Sequence, residues 1–290
     1  MRLSRCAVAL ATLTLSVIVS SLLKAQKTAP PNRGWRFTYA VTGSLAANRE
    51  DTSGFVFDVA IWRGTVRIAV RSGPMRALTG DRGAMLLRTG DSALIVLNPA
   101  RQEALLTRAG ELNSVLGGAM GSMQITVTDA ASSTMATGAG PRVAGFATRR
   151  VDLAQRYTMQ AAAGTLRRMA RTEQVLQLDV SRVVARLDPG FRLFSEQFAR
   201  SLGAPAPVRQ ALRALERGIA ADFVMQSHLT SITVSANDTL RAESRSAVSE
   251  FRSDIVDPTT FVVPPGYRIT EMSRLLQPRP RSATVPPPSP

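Results

Sequence analysis

Cysteine is almost missing: Cys6 is the only one in 290 residues, and it stands in the opening segment. Past that segment no disulfide, thiolate nucleophile or cysteine-bound metal can be built. Lysine is nearly as scarce. Only Lys24 and Lys27 occur, so a Ser–Lys dyad or a Schiff base has no residue to use in the body of the chain. His228 is the one histidine. It falls on a strand pattern among Gln226 and Thr230 with no second histidine or HExxH motif, and it reads as a partly buried strand residue. Aromatics make up 5% of the chain and form no stacking motif among the arginines, which makes nucleic acid a poor fit as a partner. Gly138-Ala139-Gly140 runs into Pro141, so no phosphate loop opens a helix there. Asp51-Thr52-Ser53-Gly54 looks superficially like an aspartic-protease loop. Serine stands where the glycine belongs, and no second loop supplies the partner carboxylate. These absences point to a protein with no catalytic constellation, no metal and no cofactor; an enzyme using carboxylates or serines alone is the residual alternative.

What is present begins with charge. Lys and Arg number 36 against 21 Asp and Glu, a formal net charge of +15. Almost every cation is arginine, a bias that genomic composition explains and that would still draw the protein to anionic surfaces. Arg2 and Arg5 precede an uncharged run from Cys6 to Leu23, which ends at Lys24-Ala25-Gln26. This order of parts is that of a secretory signal peptide, so residues 1–25 are expected to direct export to the periplasm or cell envelope, with cleavage before Gln26. An uncleaved anchor is the other reading of the same run. Residues 26–34 form a polar lead-in, and 278–290 a Pro-rich tail that cannot pack a core.

Between them, residues 35–277 read as a single β-rich domain. Trp35, Phe37, Tyr39 and Val41 alternate onto one face, as do Phe55, Phe57, Val59 and Ile61, and then Val66, Ile68 and Val70. Shorter strands follow at Ala84–Arg88, Ala93–Leu97 and Ala104–Arg108, and longer ones at 143–159, 166–180, 222–234 and 240–255. Residues 130–141 have loop composition. Glu111–Met120 reads as a short helix weakened by Gly117-Gly118, and clear helical spacing appears in an insert at about 190–220. There Phe191, Phe194 and Phe198 recur, and after Pro205 and Pro207 the residues Val208, Leu212, Leu215 and Ile219 form a stripe opposite Arg209, Arg213 and Arg217. The expected fold is mainly β (α+β): a strongly curved antiparallel sheet or incomplete β-barrel, with a helical pair covering its open side.

Two segments carry a family resemblance. Val143-Ala144-Gly145-Phe146-Ala147-Thr148-Arg149-Arg150-Val151 and Phe261-Val262-Val263-Pro264-Pro265-Gly266-Tyr267 look like signatures of uncharacterised exported bacterial domains. Those domains resemble the periplasmic lipoprotein-carrier superfamily (LolA/LolB-like). The resemblance implies an incomplete barrel closed by helices, a concave interior for acyl chains, and no catalytic residues. The Pro-Pro-Gly-Tyr step reads on its own physics as a terminal corner packing Tyr267 back on the sheet, or as a lid.

Two functions follow. The first is a non-catalytic module holding a lipid or acyl-chain ligand on the inner sheet face, with Phe55, Phe57, Val59, Ile61, Val66, Ile68 and Met85 as lining. These residues could equally be solid core. The alternative is a structural or interaction protein of the envelope, meeting anionic partners through Arg209, Arg213 and Arg217.

Overall fold

The computed structural model describes residues 32–46, 54–73, 75–89, 93–108, 124–163, 166–196 and 219–271. The strands are β1 (Arg33–Ala46), β2 (Phe55–Trp62), β3 (Thr65–Ser72), β4 (Ala84–Arg88), β5 (Ala93–Asn98) and β6 (Glu103–Arg108) in the first half. The second half supplies β7 (Gln124–Ala139), β8 (Arg149–Ala163), β9 (Leu166–Ser181), β10 (Phe223–Ser235), β11 (Thr239–Ile255) and β12 (Arg268–Glu271). All twelve join one sheet in the order β12-β6-β5-β4-β3-β2-β1-β11-β10-β9-β8-β7. Each half is a meander, and the long antiparallel pair of β1 and β11 stitches the two together. The sheet is open, with β12 and β7 as its edges, and only β12 on β6 is parallel.

The alternation in the sequence sets the register. Trp35 lies opposite Ile61, Phe37 opposite Val59 and Tyr39 opposite Phe57. Ile61 continues to Val66 and Val59 to Ile68, and these to Leu87 and Met85. Partners in a ladder share a face, so a continuous apolar surface runs across β1 to β5. Polar and charged side chains such as Arg36, Asp58 and Arg67 alternate onto the other face.

Among the described residues three short helices accompany the sheet: α1 (Arg76–Thr79), α2 (Arg182–Ala185) and α3 (Pro189–Phe194). The last two lie between β9 and β10. Ser181 caps α2 by accepting from Val184 N. Asp188 caps α3 by accepting from Gly190 N, with Pro189 in the first turn where its missing N–H costs nothing. The carboxylate of Asp188 also takes Gly64 N at 2.8 Å, which ties the start of α3 to the β2–β3 turn.

Several sequence expectations change. Residues 130–141 have loop composition, yet all but the last two belong to β7, a polar edge strand. Its register is broken by irregularities at Thr128/Ala131 and Thr134/Ala136, and such breaks discourage edge-to-edge pairing. The strand expected from Val143 starts instead at Arg149. Val143 and Phe146 close on each other in a turn with positive φ at Ala144 and Gly145. The helical segment expected near 190 opens with α3, and α2 precedes it. Arg209, Leu212, Arg213, Leu215 and Arg217 lie outside the described residues, as do Asp51, Thr52, Ser53 and the helix expected at 111–120.

The Pro-Pro-Gly-Tyr step is a corner. Gly266 has φ +84, a left-handed conformation that glycine adopts at no steric cost. Tyr267 and Val263 pack against Leu86, Ile95, Leu97 and Ala104. Leu86 alternates along β4 with Met85 and Leu87, so this corner covers the sheet face opposite the apolar surface of β1 to β5. Arg268 N then donates to Gln102 O at 2.8 Å and begins β12.

Candidate functional site

The apolar face of β1 to β5 closes on α3. Phe191 and Phe194 are both fully buried and join Phe37, Tyr39, Phe57, Val59, Ile61, Val66, Ile68 and Met85 in one core. Phe191 has ring neighbours in Trp35, Phe37, Phe223 and Phe251, the nearest centroid 5.1 Å away. Phe194 meets Phe37, Tyr39 and Phe223. Gly190 lets the helix approach this closely: a β-carbon there would lie 2.5 Å from Ile61 Cγ2 and 3.3 Å from Val66 Cγ2. One cluster thus draws on strands from both meanders, on α3 and, through Val184 and Ala185, on α2.

The residues expected to line a cavity therefore stand as follows. Phe57, Ile61, Val66 and Ile68 are 0% exposed, Met85 1% and Val59 2%; Phe55 is partly buried and packed against the same cluster. The structure brings all seven together on one surface, and α3 packs onto it at Ile61 and Val66.

Further along the same face the lining turns polar. Tyr39 and Val41 lie opposite Val248 and Ser246, and Ser246 lies opposite Ser227. The Ser227 and Ser246 hydroxyls are 2.7 Å apart. Burial pushes the Tyr39 hydroxyl up to about 12, and its hydrogen bond to Ser246 offsets only part of that effect. A tyrosine whose pKa is higher folded than unfolded stabilises the fold below its unfolded value near 10. That stability is lost as pH rises through the folded value. About 3 kcal/mol should disappear between roughly pH 10 and pH 12 from this group. Denaturant melts across that window should show the loss in the wild type, and Tyr39→Phe should remove Tyr39's share of the slope.

On the opposite face His228 pairs with Glu243, Nε2 to Oε1 2.8 Å, and Arg245 binds the same carboxylate oxygen. Arg245 first and His228 second hold the Glu243 carboxyl below its ordinary range. This is a surface ion pair on neighbouring strands, in keeping with a strand histidine. Among the described residues no group of three or more histidine, cysteine or acidic side chains is placed to hold a metal.

A feature that the sequence reading missed lies where β9 passes through α2 and α3 to β10. Arg182, Ala185, Arg186, Pro189, Arg192 and Ala221 line a concavity of about 480 Å³. Arg182 and Arg186 are four residues apart, a spacing that puts both on one helix side. The strand read from the sequence stops at residue 180, and nothing was drawn there from the spacing of these two arginines.

No family model matches the chain, and no curated protein matches it. A solved structure to which it is similar is that of a LolA superfamily protein from Nitrosomonas europaea. The two share 9% identity over 84% of this chain and 96% of that one, with a TM-score of 0.29.

Proposed function

We propose that this protein is an exported, non-catalytic module of the cell envelope that takes an acyl-chain ligand against the apolar face of its sheet, with α2 and α3 as the element that yields. The observation that carries this reading is the unbroken apolar surface of β1 to β5 closed by a six-residue helix. Withdrawing Phe191 and Phe194 costs about 3–6 kcal/mol, at roughly 1.5–3 kcal/mol per buried side chain. A long acyl chain burying about a dozen methylenes returns on the order of 10 kcal/mol. The difference leaves several kcal/mol to set against ordering the chain and the displaced helix. Export rests on the basic start and apolar run of residues 1–25.

A covalent lock tests the reading. A sulfur in place of Val66 Cγ2 would lie close to where a cysteine at position 190 needs it. Because a β-carbon at 190 would meet Ile61 Cγ2 at 2.5 Å, Gly190→Cys and Val66→Cys are combined with Ile61→Leu, which removes that methyl, and with Cys6→Ser. The pair can then be closed and reopened by oxidation and reduction. Titration with a fluorescent long-chain fatty acid should show saturable binding by the wild type and the reduced variant, and none by the oxidised form. Undiminished binding by the oxidised form would move the ligand off this face. A folded wild type that binds no fatty acid removes the carrier function itself.

A further inference from the structure

We propose that the concavity between α2, α3 and the turn before β10 is an oxyanion site for a phosphate group. Among the described residues that line it, three are arginines and none is acidic; the others, Ala185, Pro189 and Ala221, are small and leave the space open. One of the three, Arg182, is held in place. Asp222 is 2% exposed at the side chain, and its two oxygens take Arg182 Nε at 3.0 Å and Arg149 Nη2 at 2.7 Å. One carboxylate thus orients two guanidiniums and neutralises one charge. The bond to Asp222 uses Nε of Arg182, which leaves both Nη groups without a protein partner among the described residues.

Arg186 and Arg192 have no acidic partner among the described residues, and both are exposed. The acid between them in sequence, Asp188, is committed to Gly190 N and Gly64 N at the start of α3. Like charges four residues apart on a helix repel, so Arg182 and Arg186 together are unfavourable until an anion joins them. A guanidinium presents paired N–H donors that match the oxygens of a phosphate, and three around one hollow can surround it. The hollow has room for a phosphate with one substituent, and the net charge of the chain concentrates anions near it. The same phosphate chemistry could arrive on a phospholipid headgroup or as a free phosphate.

The test uses the full chain in two arms. In one, inorganic phosphate is titrated and followed by calorimetry. In the other, the protein is sedimented with vesicles of phosphatidylcholine alone or of phosphatidylcholine with phosphatidylglycerol. Arg186→Ala with Arg192→Ala should weaken whichever interaction the wild type shows by about tenfold or more. Arg167→Ala with Arg168→Ala removes the same charge from an exposed part of β9 and should change it little. Phosphate binding lost only in the first variant supports the site and makes the ligand a soluble phosphate. Binding confined to phosphatidylglycerol vesicles and lost only in the first variant supports it with a headgroup as the source. Equal losses in the two variants would show diffuse attraction to a basic surface and overturn the site. No binding in either arm overturns it too.

Discussion

Replacing Ile61 by aspartate should unfold the protein at neutral pH. Ile61 is 0% exposed and lies between Trp35 on β1 and Val66 on β3, with the backbone of Gly190 against its Cγ2 methyl. No cation of the described core stands near enough to pair with a new carboxylate. The aspartate must remain neutral in the folded state, and a raise of about 3–5 pKa units keeps it so near pH 7. The cost there is set by the distance from the unfolded value near 4 and comes to about 4 kcal/mol. Loss of the buried aliphatic chain adds roughly 1.5–3 kcal/mol. The total rivals the whole stability of an ordinary domain, about 5–15 kcal/mol. The charge part has a definite sign with pH. It grows above the unfolded carboxyl value near 4 and vanishes below it, because the unfolded chain is then protonated as well. Circular dichroism should therefore show a disordered variant at neutral pH that regains structure towards about pH 4. Val234→Asp is the comparison: at 48% exposure it should shift a denaturant midpoint by no more than about 0.5 kcal/mol of stability. A well-folded Ile61→Asp protein at neutral pH would mean that this face is hydrated, an open cavity rather than a core.

Which parts of this arrangement were legible in the sequence follows from what makes a pattern local. The first meander was readable almost to the residue, because strands buried on one face must alternate. The runs around Phe37, Phe57 and Val66 do so with Gly64 between the last two. Long strands of the second half were also legible, although their register was not: β9 to β11 carry serines, threonines and glutamines on both faces. Past the alternating Ile125 and Val127, β7 escaped because Ala, Ser, Thr and Gly in sequence look like a loop when no buried face imposes alternation. The seating of α3 could not be read either. It depends on Gly190 meeting Ile61, a contact across more than a hundred residues, and on the capping carboxylate of Asp188 reaching Gly64 N. The arginine hollow was hidden for a related reason. Arg182 and Arg186 share a side only on a helix, and α2 is four residues long with valines at its centre, a composition that reads as strand.

Phe191→Ala should cost about 3–5 kcal/mol, because the ring is fully buried among Trp35, Phe37, Phe223 and Phe251 and four aromatic neighbours anchored in the sheet cannot all collapse into the space it leaves. Arg192→Ala, one residue on and exposed, should fall within about 0.5 kcal/mol of the wild type. Denaturant melts of the two measure how firmly α3 is seated. A loss below about 1 kcal/mol at Phe191 would describe a helix resting loosely on the sheet rather than packed into it. The same variant speaks to ligand binding, and in the opposite direction. If an acyl chain enters by displacing α3, the population with the helix withdrawn limits the observed affinity. Removing one of its two anchoring rings raises that population, so fatty-acid affinity should rise by about tenfold for each 1.4 kcal/mol removed from the seating, as long as the protein stays folded. Stability and affinity then move apart. Were both to fall together, the aromatic cluster would be a core that the ligand never enters, and the acyl-binding function would have to be sought away from the face that α3 covers.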